Sequence, residues 1–276
     1  MYNKVYIEIT NICNMNCSFC HGHSRGKRQM SREEFALILD QLAGRTDYLY
    51  YHLMGEPLVH PLLPEFVGMA KERGYKSILT TNGTLLPKRG KELLEAGFHK
   101  VNLSLHSFEE GSDEAFDEYI RSLATFAGDA ADRGTIVVFR LWNQGCDNGK
   151  NAFALEALRR YLPGDWVSNT RGVRIREKLF VEMGERFEWP DSNAEIKGEK
   201  FFCYGLKDQF GILADGTVVP CCLDSDGGIP LGNIFREDIG DILDSPRARA
   251  MVEGFRCGNA TEELCRRCGY AQRFIK

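Results

Sequence analysis

Ten cysteines in a chain of 276 residues are the side chains with the greatest capacity for chemistry, and most of them are clustered. Cys13, Cys17 and Cys20 lie near the N-terminus with the spacing CxxxCxxC. Six more lie beyond position 200, and Cys146 stands alone. Thiolates are soft ligands that suit zinc, copper(I) and iron–sulfur clusters. The clustering therefore predicts metal binding or redox chemistry.

The three N-terminal cysteines fit an iron–sulfur site. Three thiolates on one short loop can hold three irons of a [4Fe–4S] cube, which leaves the fourth iron open for chemistry. Zinc is the alternative, because His21 or His23 could complete a four-ligand zinc shell here. Zinc sites usually contain two CxxC or Cys/His pairs, so the spacing favours the cluster. Spacing alone leaves both metals open.

Composition limits the classes of partner. The formal net charge is −4 and the pI is about 5.9, which argues against a nucleic-acid surface. The sequence has neither an apolar run long enough to span a membrane nor the pattern of a signal peptide. We therefore expect a cytoplasmic protein without nucleic-acid or membrane partners. In that reducing compartment, clustered cysteines bind metal more often than they form disulfides.

Alternating strand and helix patterns must position these cysteines. A capping box at Ser31 and Glu34 predicts the start of the first helix. The patterns predict strands at 5–9, 48–53, 77–81, 101–105, 135–141 and 173–181. Helices between them imply parallel strands with helices outside, in an open sheet or a barrel. Near the C-terminus, Asp215-Gly216 predicts the turn of a β-hairpin.

The first cysteine motif, placed directly after the first strand, resembles the signature of the radical S-adenosylmethionine (SAM) enzymes. In that family an aromatic residue before the third cysteine, here Phe19, packs near the adenine. A Gly-Gly-Glu-Pro element follows the second strand and holds the methionine amino group through its backbone. This chain has Gly55, Glu56 and Pro57 at the last three positions and departs at Met54. The resemblance implies an α/β fold with a partial, TIM-like (β/α) barrel of parallel strands.

The same resemblance implies cofactor contacts at the carboxyl ends of later strands. Polar residues there contact the ribose and the carboxylate of SAM, and we assign Thr81, Ser104 and Arg140 to this role. His106, just after the fourth strand, fits an ordinary hydrogen-bonded surface histidine equally well. Three basic residues follow the cysteine motif, namely Arg25, Lys27 and Arg28. A solvated loop explains at least two of them, although one cation could gate the cavity or meet an anionic substrate.

The C-terminal cysteines resemble the twitch form of the SPASM extension. That form holds one auxiliary [4Fe–4S] cluster, and the matching ligands here are Cys203, Cys221, Cys265 and Cys268. The full SPASM form continues with further cysteines, whereas this sequence ends eight residues after Cys268. One auxiliary cluster is therefore expected, and a zinc ribbon is the alternative. We predict a radical SAM domain over residues 1–195 and the auxiliary domain over 196–276.

Three cysteines lie outside these two ligand sets. Cys257 could compete with a proposed auxiliary ligand. Cys222 neighbours Cys221 and is expected to pack as a small hydrophobic residue. Alternatively, either Cys222 or Cys146 donates a hydrogen atom to a substrate radical.

The resemblance implies two [4Fe–4S] clusters and SAM as cofactors. Reductive cleavage of SAM then yields a 5′-deoxyadenosyl radical that abstracts a hydrogen atom from substrate. We expect a two-electron oxidation of a small polar molecule or a peptide side chain, with the auxiliary cluster accepting an electron. Length and cysteine spacing are similar to those of the butirosin-pathway amino-cyclitol dehydrogenase.

The remaining alternatives concern the reaction and the partners. A radical SAM epimerase and a peptide cross-linking enzyme use similar parts. A non-catalytic iron–sulfur or zinc protein is the alternative from another class. We expect flavodoxin or ferredoxin as the electron donor. The sequence names neither the substrate nor the oligomeric state.

Overall fold

The computed structural model describes residues 1–170 and 172–274. Within these residues one sheet contains eleven strands. The strands are β1 (Lys4–Ile7), β2 (Tyr48–Tyr51), β3 (Lys76–Thr81), β4 (Lys100–Ser104), β5 (Ile136–Gln144), β6 (Val167–Asn169), β7 (Gly172–Arg176), β8 (Leu179–Glu185), β9 (Gln209–Ile212), β10 (Thr217–Val219) and β11 (Gly232–Asn233). The helices are α1 (Arg32–Gln41), α2 (Leu63–Glu72), α3 (Leu86–Ala96), α4 (Asp113–Asp132), α5 (Lys150–Tyr161), α6 (Ile239–Leu243), α7 (Pro246–Arg256) and α8 (Glu263–Arg266).

The sheet is mostly parallel and does not close. Its strand order is β11-β10-β9-β1-β2-β3-β4-β5-β8-β7-β6. The seven neighbouring strands from β9 through β8 pair in parallel, while both edges end in antiparallel strands. The predicted α/β class with parallel strands is confirmed. In the described residues, no helix is long and apolar enough to cross a membrane.

The predicted sixth strand at 173–181 is wrong as a single strand. Residues in this range form β7 and β8, which pair antiparallel and reverse direction at Glu177 and Lys178. Lys178 occupies the left-handed backbone region with φ +64°. The sequence carries no Gly or Asn at this turn, so its apolar alternation runs through it unbroken. β8, rather than the whole range, takes the sixth parallel position beside β5.

The first helix begins where the sequence predicts. The Ser31 hydroxyl accepts from the Glu34 backbone N–H at 3.1 Å, and the Glu34 carboxylate accepts from the Ser31 N–H at 2.8 Å. This reciprocal pair is the predicted capping box. Phe35, Ile38 and Leu39 on the same helix are buried against the sheet.

Alternation along the strands separates two faces of the sheet. Val5 and Ile7 of β1 are buried in the main core with the helices, whereas Tyr6 between them belongs to a second, smaller apolar cluster. Because side chains alternate along a strand, the same separation runs across the sheet. We call the face opposite the helices the inner face. It carries Tyr6, Glu8, Tyr50, His52, Asn102, Ser104, Arg140 and Glu182.

The C-terminal cysteine-rich region joins the sheet directly. The predicted hairpin at Asp215-Gly216 is confirmed as β9 and β10, and Gly216 has φ +85°. β9 pairs in parallel with β1, which places Phe210 opposite Val5 and Ile212 opposite Ile7. This pairing brings the hairpin beside the loop that carries the first cysteine motif. The boundary between residues 195 and 196 stays a prediction.

Candidate iron–sulfur and cofactor site

The first cysteine motif forms the loop that leaves β1. The Cys17 Sγ lies 3.7 Å from the Ser107 carbonyl oxygen, and the Cys13 Sγ accepts from the Met15 N–H at 3.4 Å. Burial, with the Glu109 carboxylate and the thiols of Cys13 and Cys20 nearby, raises the pKa of Cys17 to about 12. Three thiols thus lie close together, and none forms a disulfide. A bound cation would help to hold Cys17 as a thiolate, which fits the proposed cluster.

Gly55 packs against the backbone just before this motif. It has φ +76°, and a Cβ placed on it would lie 2.4 Å from the Thr10 carbonyl oxygen. The next residue, Glu56, donates its N–H to the Ile12 carbonyl at 2.9 Å. Only glycine combines this backbone conformation with so close an approach. Met54, where the sequence departs from the family element, is buried.

The Glu56 side chain is directed away from the open end of the loop. Its carboxylate accepts from the Thr81 hydroxyl at 2.6 Å, from the Asn82 N–H at 2.8 Å and from the Leu58 N–H at 2.9 Å. Pro57 begins a short 3-10 turn below it. Glu56 and Thr81 therefore tie β2 to β3 with their side chains. The contact of Glu56 and Thr81 with SAM stays a prediction. Because their side chains are bonded to each other, we expect main-chain atoms to make this contact.

Phe19 lies in an aromatic contact at the same end of the sheet. Its ring centroid is 4.8 Å from that of His106, and its carbonyl accepts from Trp189 Nε1 at 3.0 Å. His106 Nδ1 lies 3.0 Å from the Arg140 carbonyl oxygen. His106 is therefore half-buried and hydrogen-bonded to β5, which links Phe19 to the strand carrying Arg140. The role of Phe19 toward adenine stays a prediction.

Arg140 reaches across the inner face. Its guanidinium lies 4.4 Å from the Trp142 ring centroid, and its Nε is 3.6 Å from Glu182 Oε2, beyond hydrogen-bonding distance. Within the described residues that Nε is buried without a hydrogen-bond partner. Ser104 pairs with Arg140 in register on β4. Ser104 and Arg140, both predicted to contact SAM, thus line the inner face.

Two further polar groups on this face have an unpartnered atom. In the described part of the chain, His52 Nδ1 and Asn102 Oδ1 are buried without hydrogen-bond partners. Burial, reinforced by the charges of Arg140 and Lys4, lowers the pKa of His52 to about 3, so its imidazole is neutral. The prediction from sequence missed His52. Its position two residues after Tyr50, in phase with the alternation of β2, was the available signal.

The four proposed auxiliary ligands come together from distant parts of the chain. Burial and then the thiols of Cys222, Cys203 and Cys265 raise the pKa of Cys221. Burial and the thiols of Cys203 and Cys268 likewise raise the pKa of Cys265. Four half-buried soft donors without a disulfide fit an iron–sulfur cluster.

The other cysteines occupy different surroundings. Cys222 packs with the Tyr6 cluster on the inner face, where it is hydrogen-bonded to the Tyr6 hydroxyl. Cys146 is exposed on the loop after β5, and Cys257 is exposed beside Glu253. Of the two predicted hydrogen-donor candidates, only Cys222 lies on the inner face.

The basic loop after the motif is not uniformly solvated. Lys27 is exposed, but the Arg25 side chain is only 14% exposed and is paired with the buried Glu8. Arg28 pairs with Glu34 and donates its Nε to the Ala214 carbonyl at 2.7 Å. Arg25 is thus the one of the three that is not solvated, because the Glu8 carboxylate lies opposite it in the fold. The sequence reasoning missed Glu8.

Two family models match this chain. A model described as the radical SAM superfamily matches residues 7–128, and an iron–sulfur cluster-binding domain model, SPASM, matches residues 203–269. The first covers the CxxxCxxC motif and the Gly55 segment. The second covers all four proposed auxiliary ligands.

Curated relatives match this chain over part or most of its length. The Fe-coproporphyrin III synthase of Methanosarcina barkeri is 31% identical over 126 residues, which are 42% of this chain and 32% of that protein. The chain thus spans about a third of that relative's length. The GTP 3′,8-cyclase of Microcystis aeruginosa is 25% identical over 296 residues, which cover 90% of this chain and 89% of that protein.

Solved structures share the whole fold. BtrN in complex with AdoMet and 2-DOIA superimposes with a TM-score of 0.63 at 21% identity, over 97% of this chain and 93% of that chain. The anSMEcpe structure with bound AdoMet and the Kp18Cys peptide has a TM-score of 0.61 at 15% identity, over 100% and 91% of the two chains. The family matches and this shared architecture agree on both regions. Residues 7–128 belong to the radical SAM superfamily and residues 203–269 to the SPASM domain, which implies a [4Fe–4S] cluster with SAM in the first part and further iron–sulfur binding in the second.

Proposed function

We propose that this protein oxidises a small polar molecule by two electrons at a C–H bond, with the substrate bound against the inner face. When bound, the N-terminal cluster and SAM supply a 5′-deoxyadenosyl radical that takes the substrate hydrogen atom. Cys13, Cys17 and Cys20 would hold that cluster. The SAM site would be built from Phe19, the Gly55 segment, Thr81 and Ser104, with Arg140 between SAM and the substrate and in reach of both.

The observation that carries this proposal is the set of unpartnered polar atoms on neighbouring strands of the inner face. His52 Nδ1, Asn102 Oδ1 and Arg140 Nε are buried without partners among the described residues. Buried polar groups are normally hydrogen-bonded, and the unpaired ones mark a place where a ligand completes the bonding. Arg140 can only donate and Asn102 Oδ1 can only accept. A molecule with hydroxyl or amino groups supplies both complements.

The charges on this face favour a substrate with little net charge. Arg140 lies against Glu182, and Arg25 is bonded to Glu8. Lys4 contributes a further positive charge near His52. A nucleoside triphosphate carries several negative charges and needs a concentrated set of cations. The inner face therefore suits an amino alcohol or polyol better than the nucleotide named for the cyclase relatives.

An oxidation needs an acceptor for the electron left on the substrate carbon. Cys222 contacts Tyr6 on the inner face, and the preceding residue along the chain is the proposed auxiliary ligand Cys221. The auxiliary donors thus lie at the border of the substrate face. Such a short separation supports electron transfer to that site rather than a remote structural role.

The decisive experiment is anaerobic reconstitution followed by assays of iron, SAM cleavage and substrate mass. We expect about eight irons per chain, as two [4Fe–4S] sites require. We also expect 5′-deoxyadenosine formation under a flavodoxin or ferredoxin reducing system. A panel of amino-cyclitols, amino sugars and short peptides should contain a substrate that loses two hydrogens. About one zinc per chain without SAM cleavage would contradict the proposal and favour a non-catalytic zinc protein.

Radical epimerisation is the second candidate, and the placement of Cys222 favours it. Its thiol could return a hydrogen atom to the substrate radical, and the resulting thiyl would then take up a proton from solvent and an electron from the proposed auxiliary cluster. In D2O the epimerised product would exchange one hydrogen for one deuterium, without a net loss of hydrogen. Cys222→Ala should abolish this exchange, whereas Cys146→Ala serves as the exposed control. A product lighter by two hydrogens and unaffected by Cys222→Ala supports oxidation.

The cellular setting follows from the same chemistry. Ten cysteines without a disulfide, many of them in proposed clusters, suit a reducing compartment. We therefore propose a cytoplasmic location with a flavodoxin or ferredoxin as reductant. Peptides stay in the substrate panel because a cross-linked peptide would also lose two hydrogens.

A further inference from the structure

Glu8 is a fully buried carboxylate at the end of β1, with 0% exposure. Its Oε1 accepts from Arg25 Nη1 at 2.8 Å and from the Ala214 N–H at 3.1 Å. Its Oε2 accepts from Arg25 Nη2 at 2.7 Å and from the Met54 N–H at 3.2 Å. Both oxygens are therefore fully engaged. Removing a carboxylate from water costs free energy, and the hydrogen bonds to Glu8 offset this cost only when all of its donors are in place.

The two backbone groups held by Glu8 belong to different parts of the proposed site. Met54 directly precedes Gly55, the residue that approaches the cysteine loop most closely. Ala214 lies in the hairpin that leads into Cys221. One carboxylate thus bonds both the SAM-side segment and the auxiliary-cluster hairpin.

Arg25 extends this connection. Its Nε donates to the Ser225 carbonyl at 2.9 Å, four residues beyond Cys221. Ser24 next to it bonds the Asp226 carboxylate through its N–H at 2.6 Å and its hydroxyl at 3.0 Å. The loop that follows Cys20 is therefore bonded to the segment just beyond the auxiliary ligand Cys221.

We infer that Glu8 and Arg25 form a clamp that positions the SAM-binding segment and the auxiliary-cluster hairpin relative to each other. Both are positioning residues, since neither is proposed to touch the substrate. The bidentate geometry fixes orientation as well as distance. Loss of the clamp should therefore weaken SAM binding and loosen the auxiliary cluster together. This inference rests on the proposed cluster ligands and SAM segment.

The test uses reconstituted holoenzyme and a double variant, Glu8→Gln with Arg25→Met. Removing both charges avoids leaving one of them buried and unpaired. Arg32→Gln is the matched control, because Arg32 pairs with Glu65 on the exposed surface. SAM affinity is measured by equilibrium dialysis. Iron release to a chelator is measured in a Cys17→Ser background, where only the auxiliary irons are expected.

We expect SAM binding about 10- to 100-fold weaker in the double variant, as for other groups that orient a metal site. Chelator removal of auxiliary iron should become faster in the same protein. The Arg32→Gln control should match the wild type in both measurements. Change in only one of the two properties would overturn the coupling, as would no change in either.

A conservative variant keeps the test decisive if the double variant fails to fold. Arg25→Lys retains the charge but loses the planar fork and the Ser225 bond. It should shift both properties in the same direction and leave circular dichroism unchanged. A wild-type protein that binds neither cluster nor SAM would instead refute the proposed ligands. If the wild type binds the clusters and SAM, and the variants behave like it, the clamp is refuted and the proposed ligands stand.

Discussion

Gly55 is the residue whose backbone is most tightly constrained at the proposed SAM site. With φ +76° and the Thr10 carbonyl oxygen 2.4 Å from where a Cβ would lie, alanine meets both strain and a clash. We expect Gly55→Ala to lose SAM affinity and to lower the free energy of unfolding by about 1–3 kcal/mol. Urea titration and SAM dialysis measure the two effects.

Gly44 offers a matched control for this substitution. It has nearly the same φ, +72°, but nothing lies within 4 Å of its Cβ position. Gly44→Ala therefore carries the backbone strain without the clash and should keep SAM affinity. Equal losses in the two variants would show that close packing at Gly55 is unimportant.

His52 predicts a pH dependence of stability. Burial lowers the pKa of His52 to about 3 in the native state, so the unfolded chain binds a proton at higher pH than the folded chain. Stability should therefore fall as pH falls below the ordinary histidine pKa of about 6.5. Between pH 7.5 and 5.5 the His52 contribution amounts to roughly 1.4 kcal/mol.

The measurement compares urea midpoints of wild type and His52→Gln at the two pH values under anaerobic conditions. The variant should lose less stability on acidification than the wild type. His21→Gln, at an exposed position, should retain the wild-type pH slope. An unchanged slope in His52→Gln would mean that the pKa of this imidazole is the same in the folded and unfolded chain.

At the scale of elements, the start of α1 depends on its capping box. Ser31 and Glu34 each satisfy a backbone N–H that the helix leaves without a partner. Ser31→Ala should lower the free energy of unfolding by about 1 kcal/mol. Ser31→Asp keeps an oxygen acceptor at the cap and should stay near wild type in the same urea titration. Equal losses would exclude the capping bond as the cause.

The strand β8 shows where element prediction from sequence reaches its limit. Helix ends carry local signals such as Ser31 and the glycine after α3, and α1 begins where its capping box predicts. The reversal between β7 and β8 is made by Lys178, which gives no such signal. Only the pairing of β8 with β5 decides that the chain turns there.

At the scale of the whole molecule, the proposed auxiliary cluster joins loops that are distant in sequence. Cys268→Ser removes one ligand from a half-buried set of four, so iron should fall from about eight to about four per chain. Thermal stability should fall as well, because the bound metal stabilises only the folded arrangement. SAM cleavage at the N-terminal cluster should persist.

Cys257→Ser is the control for this prediction. Cys257 is exposed and bonded to Glu253, outside the half-buried set. Its substitution should leave both iron content and melting temperature unchanged. Iron loss in Cys257→Ser, with full iron in Cys268→Ser, would show that Cys257 is the cluster ligand and that Cys268 is not.

The sequence by itself determined the cysteine motifs, the order of strands and helices before residue 165, and the hairpin at Asp215-Gly216. Each depends on residue types at short spacing, which local backbone preferences translate directly into structure. The family and its cofactors follow from the same short patterns.

Tertiary structure alone decided what lies on the inner face and how the two cysteine regions meet. Glu8 bonds Arg25 across 17 residues and Ala214 across 206, so no local pattern marks either contact. His52, Asn102 and Arg140 share one face only because parallel pairing aligns β2 through β5. Local periodicity specifies which side of a strand a residue occupies. The packing of the whole chain specifies which other residues it meets there.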